Sequence, residues 1–298
     1  MSSTARAAVS ADSRRGRSRV SPAFWLILPS IVFMLFLFAY PMVEGIRAGF
    51  TSDLTGALTL DNWGRMVNDP YFTRAVRNTL LLIVVVIPVQ FLFAIIMALL
   101  LQAKPRGTAL YFYLWAIPLA ISDLAAGLVW LSIFADQGYL NSVLVGFGLQ
   151  PFSWLSYQSP GTQFLAVAMA EVWRATSLVL VIIVSGMQGI PKDYDEAAAV
   201  LGANYWQRLR HITLPLLKPS LQVALILRTI LAFQTFAVAQ ALTGESFPLL
   251  VGETYRWYSA LNNSNVASVY SLVIMAISMI TAVAYLRILR DQSRQVAK

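Results

Sequence analysis

Apolar residues dominate six stretches of the chain, at about 24–46, 79–101, 109–134, 163–187, 219–243 and 267–289, with more polar segments between them. A helix needs roughly 20 mostly apolar residues to cross a bilayer. The pattern therefore predicts six transmembrane helices in an all-α, polytopic membrane fold. Pro29, Pro41, Pro88 and Pro118 fall in or at the ends of these spans, where neighbouring helices and polar groups can satisfy the backbone that proline leaves open. The polar segment between the fourth and fifth spans differs from the rest. Asp193-Tyr194-Asp195-Glu196 reads as a helix start, with Asp193 at the N-cap and Glu196 three positions on, a variant of the capping box. Ala197, Ala198 and Ala199 favour helix, and Gly202 is suited to end it. Asn204 and Gln207 repeat the N-cap pattern and open a second short helix, Tyr205 to about Thr213, whose end Pro215 and Pro219 mark. Two capped helices in tandem, the first with a smooth alanine face, predict an ordered docking hairpin over 190–219 rather than an irregular connection.

Composition agrees with lipid as the main solvent. The 298 residues are 58% hydrophobic and 12% charged, where a soluble domain carries about a quarter charged residues. A net charge of +8 would suggest nucleic acid in a soluble protein. Here the basic residues cluster between the apolar runs, and no nucleic-acid partner is expected. With six spans, one side of the membrane holds Arg6, Arg14, Arg15, Arg17, Arg19, Lys104, Arg106, Lys192, Arg208, Arg210, Lys218, Arg287, Arg290, Arg294 and Lys298. The other holds Arg47, Arg65, Arg74, Arg77 and Arg256. The excess of basic residues on cytoplasmic loops then places both termini and the hairpin in the cytoplasm, and 47–78, 135–162 and 244–266 outside. Residues 1–23, rich in Arg and Ser with no apolar core, read as a disordered basic tail rather than a cleavable signal peptide. Residues 24–290 read as one membrane domain, and 291–298 as a cytoplasmic C-terminal tail.

Several chemistries are excluded. Without cysteine there is no disulfide, thiolate metal site or cysteine nucleophile, and the single histidine, His211, cannot build a His-rich metal site. No H-E-x-x-H or G-x-S-x-G is present, which leaves an intramembrane enzyme as a remote alternative. Nor is there a G-x-x-x-x-G-K-[ST] loop to cradle the phosphates of ATP.

Four charges fall deep inside the spans, away from their ends: Asp123 in the third, Glu171 and Arg174 in the fourth, and Arg228 in the fifth. At 1.5 Å per residue all four approach the bilayer midplane, where transporters place their substrate sites. Charges at that depth are costly and are paired or functional. Two acids and two bases balance, an arrangement that suits an ion-pair cluster, a neutral solute, or both. Trp130, Trp173, Phe233 and Phe236 are candidate platforms for the C–H face of a sugar ring, with Gln234 and Gln240 as hydrogen-bonding partners; helix packing or lipid contact is the alternative for each. Trp25, Trp63, Trp154 and Trp257 lie near the predicted interfaces and are expected to anchor the helices there.

The hairpin resembles the EAA loop of the permease subunits of binding-protein-dependent ABC importers, roughly E-A-A-x-x-D-G-A followed by I-x-L-P. The matching residues are Glu196, Ala197, Ala198, Gly202, Ala203, Ile212, Leu214 and Pro215; Leu201 replaces the usual Asp, and Leu209 stands where Phe is common. Tyr40-Pro41, Asn78-Thr79, Gly138-Tyr139-Leu140-Asn141, Ile190-Pro191 and Ala241-Leu242-Thr243-Gly244 extend the likeness to the carbohydrate-type permeases, specifically the maltose-type first subunit. The run Gly244-Glu245-Ser246-Phe247-Pro248 departs from that subunit's Gly-Gly-Pro pattern. The resemblance implies a type I importer permease in a prokaryotic cytoplasmic membrane. Its partners would be a second, homologous permease, two ATP-binding subunits and an extracytoplasmic solute-binding protein. It also implies that ATP and Mg stay on the ATPase, so this chain binds no cofactor. The first hairpin helix would seat in a cleft of the ATPase, with Glu196 as polar anchor, the alanines as packing face and Gly202 as the turn. A carbohydrate, an oligosaccharide or polyol, is the implied cargo, with glycerol 3-phosphate or a glycerophosphodiester as the alternative.

Overall fold

The computed structural model describes residues 22–53 and 55–293; of the predicted tails at 1–23 and 291–298, residues 1–21 and 294–298 lie outside the described residues. The chain divides into two units at Arg47. The first consists of α1 (Pro22–Met34), a π turn over Leu35–Ala39, and the start of α2 (Tyr40–Gly49). In the π turn the Tyr40 N–H donates to the Leu35 carbonyl. Proline at position 41 has no N–H and would press on the carbonyl of Leu37. The wider turn immediately before it absorbs that conflict, so the helix continues through Pro41 instead of breaking.

The second unit continues with α3 (Asp61–Val67), α4 (Phe72–Gln102), α5 (Thr108–Ala120), α6 (Asp123–Phe134) and α7 (Tyr139–Gly146). There follow α8 (Pro160–Gln188), α9 (Asp193–Val200), α10 (Tyr205–Arg208) and α11 (Leu214–Phe233). It closes with α12 (Ala237–Thr243), α13 (Leu250–Tyr255) and α14 (Ser264–Ser293). Among the described residues, six helical stretches are long and apolar enough to cross a membrane. The central one is α8, more than half of whose apolar window is buried. It runs alongside α4, with Ala94, Ala98 and Leu101 packed on Val179, Leu180, Ile183 and Met187.

Two predicted spans are corrected. The third, expected as one helix over 109–134, breaks at Ile121–Ser122. Ile121 is extended, and the Ser122 hydroxyl caps α6 by accepting the Ala125 N–H at 3.2 Å. Length and hydropathy alone select Asp123–Gly146 as the crossing, but packing assigns it to α5 and α6 together. Phe112 and Trp115 of α5 lie against Val179, Leu180 and Ile183, while Trp130 and Phe134 of α6 lie against Ala166, Val167 and Ala170. The pair thus spans α8 end to end. The fifth span, expected over 219–243, ends at Phe233, and α12 then packs on α6.

The α6–α12 contact depends on Gly127. A Cβ there would stand 2.6 Å from the Ala241 Cβ and 3.2 Å from the Val238 carbonyl oxygen. Gly127→Val is expected to destabilise the purified protein by about 1–3 kcal/mol through overpacking, measured as a lowered melting midpoint in detergent.

Candidate functional site

The hairpin is built as two capped turns, with one correction at its start. Asp193 is the first helical residue, Lys192 occupies the N-cap, and no side chain caps the helix there. Asp193, Asp195 and Glu196 all fall in the first turn, where carboxylates complement the positive end of the helix dipole. Gly202, at φ +82°, is the left-handed residue that ends α9. Around it the Gly202 N–H donates to Ala199 O and the Ala203 N–H to Ala198 O, the paired bonds of a Schellman motif. Asn204 and Gln207 form the expected capping box, side chain to backbone in both directions at 2.9 and 2.8 Å. Arg208 reaches back to Asp195 at 2.8 Å and ties the two turns together.

The second hairpin helix does not stop at Pro215. A π turn over Leu209–Thr213, closed by Leu214 N–H to Leu209 O, carries it into α11. The unbroken helical run from Tyr205 to Phe233 links the hairpin rigidly to the membrane domain. Glu196 is exposed and has no ion-pair partner among the described residues. Val200 and Leu201 are each 87% exposed, beside the exposed Trp206.

The four membrane charges form one network. Glu171 is fully buried on α8 and accepts from Arg174 Nη2 at 2.9 Å and from Arg228 Nη2 at 2.7 Å. Arg174 also holds Asp123, on α6, at 2.7 Å. Two uncharged residues that the sequence reading did not single out complete the set. Gln90 of α4 accepts from Arg228 Nε at 2.7 Å and donates to the Glu171 backbone carbonyl at 2.8 Å, and the Thr235 hydroxyl donates to Glu171 at 3.3 Å. Both helix breaks, at 121–122 and 234–236, lie against this network.

The remaining candidates are dispersed. Gln234 lines an open groove of 550 Å³ between α11, α13 and α14, together with Ile230, Thr254, Ser271, Met275 and Ser278. Trp130 and Trp173, 6.1 Å apart and edge to face, line a different and almost wholly apolar groove of 510 Å³ between α4, α5, α6 and α8. Phe233 is buried in the core. Phe236 and Gln240 face a small recess beside Glu253 and Arg256. Trp154 and Trp257, expected at the interfaces, donate their indole N–H groups to Asn141 and Asp69.

Residues 63–294 match the family model described as "Binding-protein-dependent transport system inner membrane component". The chain belongs to this family. It is a multi-pass membrane permease subunit of an ABC importer that works with a binding protein, a transport component rather than an enzyme. The permease is 32% identical to the Sulfoquinovosyl glycerol transport system permease protein SmoG of Agrobacterium fabrum, over 91% of each chain. It is 28% identical to the Trehalose/maltose transport system permease protein MalF of Thermococcus litoralis, over 89% of this chain and 92% of that one. Its fold matches a bacterial ABC transporter involved in the import of the acidic polysaccharide alginate, with a TM-score of 0.76 and 18% identity over 90% of this chain and 95% of that one.

Proposed function

We propose that this permease carries an uncharged carbohydrate, an oligosaccharide or polyol, and is driven through the hairpin by ATP hydrolysis on a partner. The observation that carries the solute class is the groove of Gln234. Its walls offer amide and hydroxyl groups, from Gln234, Thr254, Ser271 and Ser278, set among Ile, Val, Met and Ala, with no charged side chain in the lining. Hydroxyl-rich solutes need such groups, since a polar site left unpaired on burial costs about 1–3 kcal/mol. A phosphorylated solute needs a free cation. Arg228 binds Gln90 through Nε and Glu171 through Nη2, and at 1% exposure its unpartnered Nη1 is closed off from a solute, while Arg174 is shared between two carboxylates. Relatives named for trehalose/maltose and for arabinooligosaccharides support a carbohydrate cargo, and its lack of charge rests on the groove and on the two paired arginines.

In this reading both termini and the hairpin are cytoplasmic. A second homologous permease faces the groove and completes the path, and two ATP-binding subunits hold ATP and Mg. An extracytoplasmic binding protein delivers the solute to the opposite side. Glu196 and the exposed Val200–Leu201 edge form the surface that the ATPase covers. The test is ATP hydrolysis by the reconstituted importer with its binding protein, against a panel of neutral sugars, glycerol phosphates and a sulfonated glycoside. Stimulation by a neutral sugar is expected. Stimulation by the anionic solutes alone would overturn the solute class, and failure to assemble with any ATPase would overturn the reading of the hairpin.

A further inference from the structure

The groove of Gln234 has a roof. Helix α13 spans six residues, and two of its side chains, Val251 and Thr254, line the groove at the end near Ser271. That end lies towards the start of α14, on the side of the membrane opposite the hairpin. The other face of α13 is buried: Leu250 is inaccessible and Glu253 is 3% exposed. The segment carrying α13 is bounded by two residues of positive φ, Gly244 at +57° and Asn262 at +50°, and α13 runs directly into a π turn over Arg256–Ala260. The roof is thus a short piece between two tight backbone reversals, distinct from the long helices around it.

The start of the roof is held by burial of Leu250 and by its N–H on the Thr79 hydroxyl at 3.1 Å, and its far end is held by an ionic bridge. Arg256 Nη2 stands 2.6 Å from Asp69 Oδ2 and 2.6 Å from Glu253 Oε2, while Nε makes a second bond to Glu253. Asp69 lies just before α4, 187 residues away in sequence. The guanidinium sits 4.7 Å from the ring centroid of Tyr71, within cation–π range. Trp257 Nε1 and the Tyr270 hydroxyl add donors to the same Asp69 oxygen. Burial pushes the Glu253 carboxyl up from its ordinary range, against the pull of Arg256. One guanidinium thus serves two buried carboxylates, and breaking it free leaves both uncompensated. The pin itself is mostly buried, with 17% of its side chain exposed.

From this geometry we propose that α13 is a gate over the outer end of the solute groove, and that Arg256, bridging Asp69 and Glu253, is the latch that keeps it shut. The proposal rests on the reading of that groove as the solute path. It adds that release of the latch, rather than movement of the long spans alone, sets when the path opens outward. Arg256 is a positioning residue in this scheme and does not touch the solute.

The chain contains no cysteine, so Thr254→Cys introduces its one reactive thiol, on the groove side of the gate. In the assembled importer in right-side-out membrane vesicles, a membrane-impermeant maleimide should label this thiol slowly. Adding Arg256→Gln should speed labelling by about tenfold, the effect of about 1.4 kcal/mol withdrawn from the closed state. Arg256→Lys, which keeps the charge but not the fork, should fall between. Unchanged labelling in an Arg256→Gln importer that assembles at the parental level would overturn the proposal. If Arg256→Gln does not assemble, Glu253→Gln keeps the Asp69 bridge and should give a smaller acceleration; no acceleration in that assembled variant would overturn the proposal equally. Labelling requires no knowledge of the solute, so a wrong solute class and a wrong gate give separable results.

Discussion

Gly202→Asp is expected to abolish solute uptake while leaving the permease in the membrane at near-normal abundance. At φ +82° a non-glycine residue pays roughly 1–2 kcal/mol, and aspartate tolerates that region better than most. No neighbour stands within 4 Å of where a Cβ would be placed, so the fold has room for the change. The defect therefore arises outside the fold. The new carboxylate lies between Leu201 and Ala203, on an apolar edge left open to solvent. In the proposed assembly that edge is covered by the ATPase, and an unpaired charge buried there costs several kcal/mol. Glu196→Lys should act in the same direction by reversing the charge of the exposed anchor. Transport into vesicles, normalised to permease in the membrane, measures both. Normal uptake by both variants would remove the coupling role from the hairpin.

The hairpin and the charge cluster were also the most legible parts of the sequence, for different reasons. Gly202, Asn204 and Gln207 act locally: their conformations depend on hydrogen bonds within five residues, so the pattern carries the geometry. The cluster was legible because charges in a bilayer must find partners, and only four were available at that depth. What the pattern missed depends on residues far away in sequence. The breaks at Ile121–Ser122 and Gln234–Phe236 coincide with the short polar pairs Ser122-Asp123 and Gln234-Thr235 inside long apolar runs, and it is packing around Glu171 and Gly127 that turns those pairs into breaks. Gln90 carried a weak signal, as a lone amide in an otherwise apolar run. The π turns before Pro41 and Pro215 turned expected or tolerated interruptions into continuous helix. The start of α9 shifted by one residue because its acids act on the helix dipole rather than as a cap. Glu253 and Arg256 are a local i,i+3 pair, but Asp69 lies 187 residues from Arg256, and nothing local joins it to them.

The largest stability effect is expected at Glu171. Its carboxylate accepts from Arg174, Arg228 and Thr235 with none of its side chain exposed. Removing one partner of a buried ion pair costs about 3–5 kcal/mol because the other charge is left uncompensated. In Glu171→Ala that charge is Arg228, held 1% exposed between α4, α8 and α11 with Gln90 as its remaining acceptor. Arg174 keeps Asp123 and fares better. A loss of this size approaches the whole stability of many domains, so little folded permease should survive extraction into detergent. Glu171→Gln should fail nearly as badly, since it preserves shape but not charge. The decisive comparison is the double variant Glu171→Leu with Arg228→Met, which removes both charges together and should recover most of the monodisperse protein. Recovery of folding with uptake still absent would show that the network serves transport as well as packing. Equal instability of single and double variants would show that hydrogen bonds to Gln90 and Thr235, rather than charge balance, hold the two broken helices against α8.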